Sequence, residues 1–157
     1  SYETPFGKGR ILKEGNDITI VGVSHTVEDA LRASGLLKSV GVSAEVIDPI
    51  SLSPLDYNLI RKSVNKTKRL LVIDNGWLTC GFAAEIITDV AINCKNISCQ
   101  RMGFAETPCP TTPSLEKDFY PNPKSIAIEA NNMCDGDNKW SPPEIIQDEI
   151  ASFKGPF

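Results

Sequence analysis

The sequence predicts an α/β fold, a three-layer sandwich in which helices cover both faces of a mostly parallel sheet of about five strands, one edge strand being antiparallel. Three observations predict it. Runs at residues 17–23, 42–48 and 69–74 read as strands, and the first, β-branched and almost wholly apolar, as one buried on both faces of a parallel sheet. Segments with apolar residues at helical spacing alternate with these runs. Glycines and prolines punctuate most of the junctions between them.

Residues 7–16 read as an edge strand and a turn that enters the first buried strand as a hairpin. Ser24-His25-Thr26 breaks the 17–23 run, and Thr26 is placed to cap a helix whose stripe is Val27, Ala30, Leu31, Ala33, Leu36, Leu37 and Val40, closed by Gly41. With the strand at 42–48 this makes one βαβ unit and a right-handed crossover. After Pro49 and Pro54, Asp56 and Tyr57 open an amphipathic helix with Leu59, Ile60 and Val64 on one side and Arg61, Lys62 and Lys66 on the other. The strand at 69–74 leads through a glycine-marked loop, residues 75–81, to a helix from Phe82 to about Ile92. Residues 98–104 form a further strand, 107–123 a proline-rich loop, and 125–133 a short helix. A C-terminal extension, 134–157, holds Trp140 and a helix over 144–153. The expected division is therefore a leading segment with the edge strand (1–16), an α/β domain (17–133) and the extension (134–157).

Composition narrows the function. The chain has 157 residues, 41% hydrophobic and 23% charged, which suits one domain of ordinary size and is too apolar for disorder. Sixteen basic against twenty acidic residues give a net charge of -4 and a pI near 5.0, which points away from nucleic acid and anionic lipid as partners. No apolar run is long enough to cross a bilayer as a helix, so no membrane partner is expected. Five cysteines lack a CxxC pair or a nearby histidine, and read as reduced thiols of an intracellular protein. The start of the chain, without Met or a signal-like segment, reads as a piece of something longer.

In an open α/β sheet a site lies beyond the carboxyl ends of the strands, here residues 24–26, 48–53 and 74–81. None holds a G-x-G-x-x-G fingerprint or a phosphate-binding loop. Gly76 and Gly81 read first as turn and packing glycines. His25, the single histidine, sits at a strand tip; general base or phosphate donor is one reading, and helix capping or an interface hydrogen bond is the favoured one. Asp135-Gly136-Asp137 resembles the opening of a thiamine diphosphate magnesium motif, but the preceding strand and the downstream Asn are missing, so it reads as a solvated turn. Trp77, a large aromatic between two glycines, is read as a partner contact.

Gly7-Lys8-Gly9-Arg10, Asp17-Ile18-Thr19-Ile20-Val21, Val46-Ile47-Asp48-Pro49 with Ser53-Pro54-Leu55-Asp56, and Asp74-Asn75-Gly76-Trp77 with Gly81-Phe82-Ala83-Ala84-Glu85-Ile86 resemble, in order and spacing, the transketolase C-terminal domain. Arg101-Met102-Gly103-Phe104-Ala105-Glu106-Thr107-Pro108-Cys109-Pro110, then Leu115-Glu116-Lys117 and Tyr120-Pro121, make the sequence most similar to the C-terminal domain of the E1 component beta subunit of 2-oxo acid (pyruvate) dehydrogenases. The resemblance covers about residues 7–133.

It implies a thiamine diphosphate and magnesium enzyme that decarboxylates a 2-oxo acid and passes the acyl group to lipoyl-E2. This fragment would be inactive alone, with no catalytic, cofactor-binding or metal-binding residue of its own. The implied partners are an E1 alpha subunit, a second E1 beta subunit and the E2 acyltransferase, in bacterial cytoplasm or the mitochondrial matrix. The implied subunit-interface residues are Gly76, Trp77, Gly81, Phe82 and Glu85, to which the strand-tip His25 is added. Asn96 stands where family members often carry an acidic residue near E2, which leaves open whether docking uses other residues or another partner. Two alternatives stay open: the C-terminal domain of a transketolase or deoxyxylulose phosphate synthase, and a free-standing α/β protein-binding module.

Overall fold

A computed structural model of the chain describes residues 5–112, 115 and 118–143. The five strands are β1 (Arg10–Lys13), β2 (Ile18–Gly22), β3 (Ala44–Asp48), β4 (Arg69–Trp77) and β5 (Ser98–Phe104), in the spatial order β1-β3-β2-β4-β5. All neighbours are parallel except β1 and β3. The helices are α1 (Thr26–Leu37), continued by a 3-10 turn (Lys38–Val40), α2 (Tyr57–Thr67), α3 (Phe82–Asn93) and α4 (Pro123–Met133). The predicted three-layer α/β fold is the observed one. The helix expected over 144–153 lies outside the described residues.

The pleat sorts the apolar runs into two cores. Ile18 and Ile20 of β2, Val46 of β3 and Leu71 and Ile73 of β4 face Ala30, Ala33 and Leu37 of α1 and Ile126, Ala127 and Ala130 of α4. Val21, Ile47, Leu70 and Val72 face Ile60 and Val64 of α2 and Ala83, Ile86 and Val90 of α3. Strands buried on both faces need near-continuous apolar sequence, which is how β2 and β4 are recognised.

The predicted hairpin does not form. β1 pairs with β3, Arg10 opposite Asp48 and Ile11 opposite Ile47, because both sides of β2 are taken by parallel partners. The chain crosses instead below the amino ends of β2 and β3, where Asn16 and Asp17 N–H donate to the Ser43 carbonyl (3.0 and 2.9 Å). A Cβ on Gly15 would overlap the Ala44–Glu45 backbone there. Lys13 ties the edge strand to α1, its Nζ donating to the carbonyl and hydroxyl of Ser34 at 2.7 Å each.

Two helix starts also differ from expectation. Thr26 is the first residue of α1 and its hydroxyl turns back to the sheet: it accepts from Val23 N–H (2.8 Å) and faces the Val23 and Ile73 carbonyls (2.9 and 3.0 Å). α4 begins at Pro123, two residues before the periodicity suggests, because the Asn122 side chain accepts from Lys124 and Ser125 N–H (3.1 and 3.0 Å) and closes a capping box. Gly41, at φ 76°, ends the 3-10 turn as the sequence suggests. Trp140 and Cys134 of the extension pack on the α1–α4 core.

A buried polar network joins α2 to the sheet. Thr19 Oγ1 lies 2.6 Å from Ser63 Oγ and 2.7 Å from Thr67 Oγ1, and Ser63 Oγ donates to Glu45 Oε1 at 2.5 Å. Lys66 forms an ion pair with the other carboxylate oxygen of this 1%-exposed Glu45. Burial alone would raise the Glu45 carboxyl, but hydrogen bonds from Lys66, Ser63 and the Gly15 N–H together outweigh it and hold Glu45 below the ordinary carboxylate range. The charged form is thus favoured by the fold, and its stabilisation is present above the unfolded value, about 4.3, and is lost as pH falls through the lower folded value. Urea melts between pH 7 and pH 3 should show Glu45→Gln about 1–3 kcal/mol less stable at neutral pH, with a shallower acid loss than the parent. Superimposable pH profiles would exclude this role for Glu45.

Candidate functional site

β2 is followed by a crossover toward β3 and β4 by a crossover toward β5, so α1 and α3 leave on opposite faces and the carboxyl ends of β2 and β4 form a topological switch point. Val23 N–H donates to the Ile73 carbonyl (2.9 Å) and closes its floor. Each strand tip that the sequence singles out carries a non-glycine residue in the left-handed region: Ser24 (φ 60°), Ile50 (φ 59°) and Cys80 (φ 59°). The β-branched Ile50 is the most strained, and such positions cost of order 1–3 kcal/mol each. Three large apolar side chains also stand exposed here: Ile50 (44%), Leu52 (44%) and Trp77 (48%).

Three aspartates of this edge, Asp48, Asp56 and Asp74, are engaged within the chain. Asp48 accepts from Arg10 (3.1 Å) and from Ile50 N–H (2.9 Å). Asp56 caps α2 through Leu59 N–H (3.2 Å), and buried Asp74 accepts from Ala83 N–H (3.3 Å). Among the described residues no group of three or more His, Cys, Asp or Glu side chains is placed to hold a metal ion. The turn at Asp135-Gly136-Asp137 leaves both carboxylates at the surface, with Asp135 paired to Arg69 (3.1 Å).

The predicted loop at 75–81 is shorter than expected, because β4 runs on through Trp77, which pairs with Phe104 after a register shift. The Trp77 ring meets Phe104 and Phe119 edge to face, centroids 6.2 Å apart in both cases, and Phe119 continues to Tyr120 (4.9 Å). One side of the indole is therefore held by its own domain while the other is open. The turn beyond is braced by Arg101, whose Nη1 donates to the Leu78 carbonyl (2.7 Å). A Cβ on Gly81 would overlap the Trp77 carbonyl oxygen, so glycine is required by close approach rather than by φ. Trp77, Thr79, Glu106, Thr107 and Pro108 line an open cleft of about 520 Å³.

The six residues marked by sequence are distributed unevenly. Gly76, Trp77 and Gly81 lie together on the braced turn. His25 occupies the N-cap position of α1 without a side-chain cap bond, and its Nδ1 lies 3.4 Å from Asn75 Nδ2, which brings it to the same edge. Phe82 packs half-buried against the α2–α3 core, and Glu85 is exposed on the first turn of α3. Glu85 and Asp89, after the larger effect of burial, raise the Tyr57 phenol. Sequence reasoning placed Asn75 at this edge within 74–81 but missed Arg101, Glu106 and Phe119 as members of it. The aromatic pair Phe119-Tyr120 within a proline-rich loop was the one signal available for the last of these.

A mixed five-stranded sheet between two helical layers, with an aromatic and partly apolar carboxyl edge, defines a three-layer α/β domain of the transketolase type. The chain belongs to the transketolase C-terminal domain family, whose model matches residues 7–126. Among curated proteins it is 39% identical over 128 residues to the acetoin:2,6-dichlorophenolindophenol oxidoreductase subunit beta of Bacillus subtilis, covering 80% of this chain and 37% of that one. It is 37% identical over 137 residues to the mitochondrial pyruvate dehydrogenase E1 component subunit beta of Pisum sativum, covering 85% and 38%. The chain thus spans under two fifths of the length of these two relatives. A solved split-gene transketolase, described as an inactive beta4 tetramer, has the same fold with a TM-score of 0.78 at 23% identity, over 85% of this chain and 44% of that one.

The braced turn makes a direct test. Gly81→Ala should lower the stability of the chain by about 1–3 kcal/mol, the cost of overpacking, and shift the Trp77 emission spectrum in a Trp140→Phe background. Unchanged stability and emission would show that the turn is not pinned by this approach.

Proposed function

We propose that the chain is the C-terminal domain of a 2-oxo acid dehydrogenase E1 beta subunit of the pyruvate dehydrogenase type. The full enzyme would decarboxylate pyruvate or a related 2-oxo acid oxidatively and transfer the acyl group to lipoyl-E2. The observation that carries this reading is the 37% identity with the pea E1 beta subunit over 85% of the chain. The domain boundaries proposed are 17–133 for the α/β unit, with β1 leading into it and 134–157 added to it.

Within that enzyme the part taken by this chain is assembly. His25, Gly76, Trp77, Gly81, Phe82 and Glu85 form or support the surface toward E1 alpha and a second E1 beta, and E2 docks on the same subunit. The half-open Trp77 on a braced turn supports this, since a large aromatic fixed on one side and exposed on the other is the anchor type enriched at interfaces. Thiamine diphosphate with magnesium supplies the electron sink for decarboxylation in such enzymes. Asp48, Asp56 and Asp74 of this edge are held by backbone N–H groups and basic side chains, and among the described residues no acidic cradle for the metal is formed. The cofactor is therefore assigned to other domains, and no step of its chemistry to this chain. The proposed location is the bacterial cytoplasm or the mitochondrial matrix; no helix among the described residues is long and apolar enough to cross a membrane. A second reading, favoured by the Bacillus subtilis relative, keeps the same role for the domain and takes acetoin as substrate.

Two measurements test the reading. An antibody raised against the chain should detect a native polypeptide of roughly twice its mass or somewhat more, as a preceding domain of ordinary size requires; a band at 17.1 kDa would overturn it. In that full-length polypeptide, Trp77→Ala should weaken subunit association by about 2 kcal/mol, the scale of an interface hot spot, while circular dichroism of the 157-residue chain stays native. Equal association by analytical ultracentrifugation would remove Trp77 from the interface.

A further inference from the structure

We propose that the cleft between Trp77 and Glu106 is a receptor for a single arginine side chain of a companion subunit. The proposal rests on the E1 beta reading for the identity of the companion, but the chemistry comes from the cleft itself. Its lining is an exposed indole, one carboxylate, two threonine hydroxyls and a proline. Among the described residues Glu106 has no ion pair and neither Thr79 Oγ1 nor Thr107 Oγ1 has a hydrogen bond, whereas Asp48, Asp56 and Asp74 on the same edge are all engaged. Glu106 is thus the acidic group of this cleft, and it is left for a partner.

A guanidinium fits this set better than an ammonium. Its plane stacks on an aromatic face, its fork meets a carboxylate through two parallel N–H donors, and its remaining N–H groups need further acceptors, which the two hydroxyls supply. Pro108 and the indole give the three-carbon stem an apolar wall. The edge-to-face contacts with Phe104 and Phe119 hold the indole in place before the partner arrives, so little ordering cost falls on association. The net charge of -4 adds long-range attraction for a basic partner surface.

The test uses the native full-length polypeptide coexpressed with its alpha-type companion, with association measured by sedimentation at low and high salt. Glu106→Gln should weaken association about tenfold and flatten its salt dependence, and Glu106→Lys should weaken it by about a hundredfold, because it places like charge against the arginine. Assembly of both variants as tight as that of the parent would overturn the proposal and leave the E1 beta reading standing. If the parent polypeptide itself assembles with no alpha-type subunit, the E1 beta reading fails, and the cleft is tested on the 157-residue chain by NMR with N-acetylarginine methylamide and its lysine counterpart as probes. Saturable shifts of the Trp77 indole N–H with the arginine probe, weaker with lysine and absent in Glu106→Lys, would support the receptor. Equal shifts with both probes, or none, would overturn it.

Discussion

Burial of β2 and β4 on both faces is the constraint on which the rest of the molecule depends. Ile18, Ile20, Val21, Leu70, Leu71, Val72 and Ile73 are fully buried, and a strand so enclosed admits polar groups only where another polar group meets them. Thr19 is the exception inside β2, and it is satisfied by Ser63 and Thr67 of α2. Chemistry is thereby driven to the strand ends. The amino end holds the Glu45–Ser63–Lys66 network, which fixes α2 against the sheet, and the carboxyl end holds the left-handed Ser24, Ile50 and Cys80 and the exposed aromatic Trp77.

The two ends differ in how they treat charge. At the amino end a carboxylate is buried and compensated by three kinds of donor, a hydroxyl, an ammonium and a backbone N–H. That arrangement gives α2 a specific seat on the sheet that apolar packing alone would leave less defined. At the carboxyl end the carboxylates hold local backbone in shape: Asp48 supports the left-handed Ile50, Asp56 starts α2, and Asp74 receives the first turn of α3. A rigid edge results, built by acids that are themselves not offered to a ligand.

Much of this was legible in the sequence, and what was not has physical reasons. The strands and helices were readable because a doubly covered sheet writes continuous apolar runs, and helical layers write a 3.6-residue period. The partner of β1 was not readable: a short edge strand carries no mark that distinguishes β2 from β3, and the choice is made by β4 occupying the far side of β2. Thr26 was recognised as important at the right place but for a different bond, since its hydroxyl serves the sheet and not the helix. Of the carboxyl edge, the Gly76–Trp77–Gly81 turn stood out by composition. Arg101 and Phe119 did not, because they reach the turn from 24 and 42 residues further along the chain, counting from position 77. Trp77 was read as a partner contact; the fold adds that it first packs on its own domain, and it is that packing which sets where the open side of the ring points.

The register shift between β4 and β5 gives that last point a wider meaning. Ile73 pairs with Met102 and Trp77 with Phe104, so four steps along β4 accompany two along β5. The surplus lies in Asp74-Asn75-Gly76, where the strand departs from a regular ladder. The aim of the indole is thus written in the number of residues as much as in their identity. Over evolutionary time such a segment would drift in side chain more readily than in length, since removal of two residues would restore the ladder and draw the ring into line with the sheet.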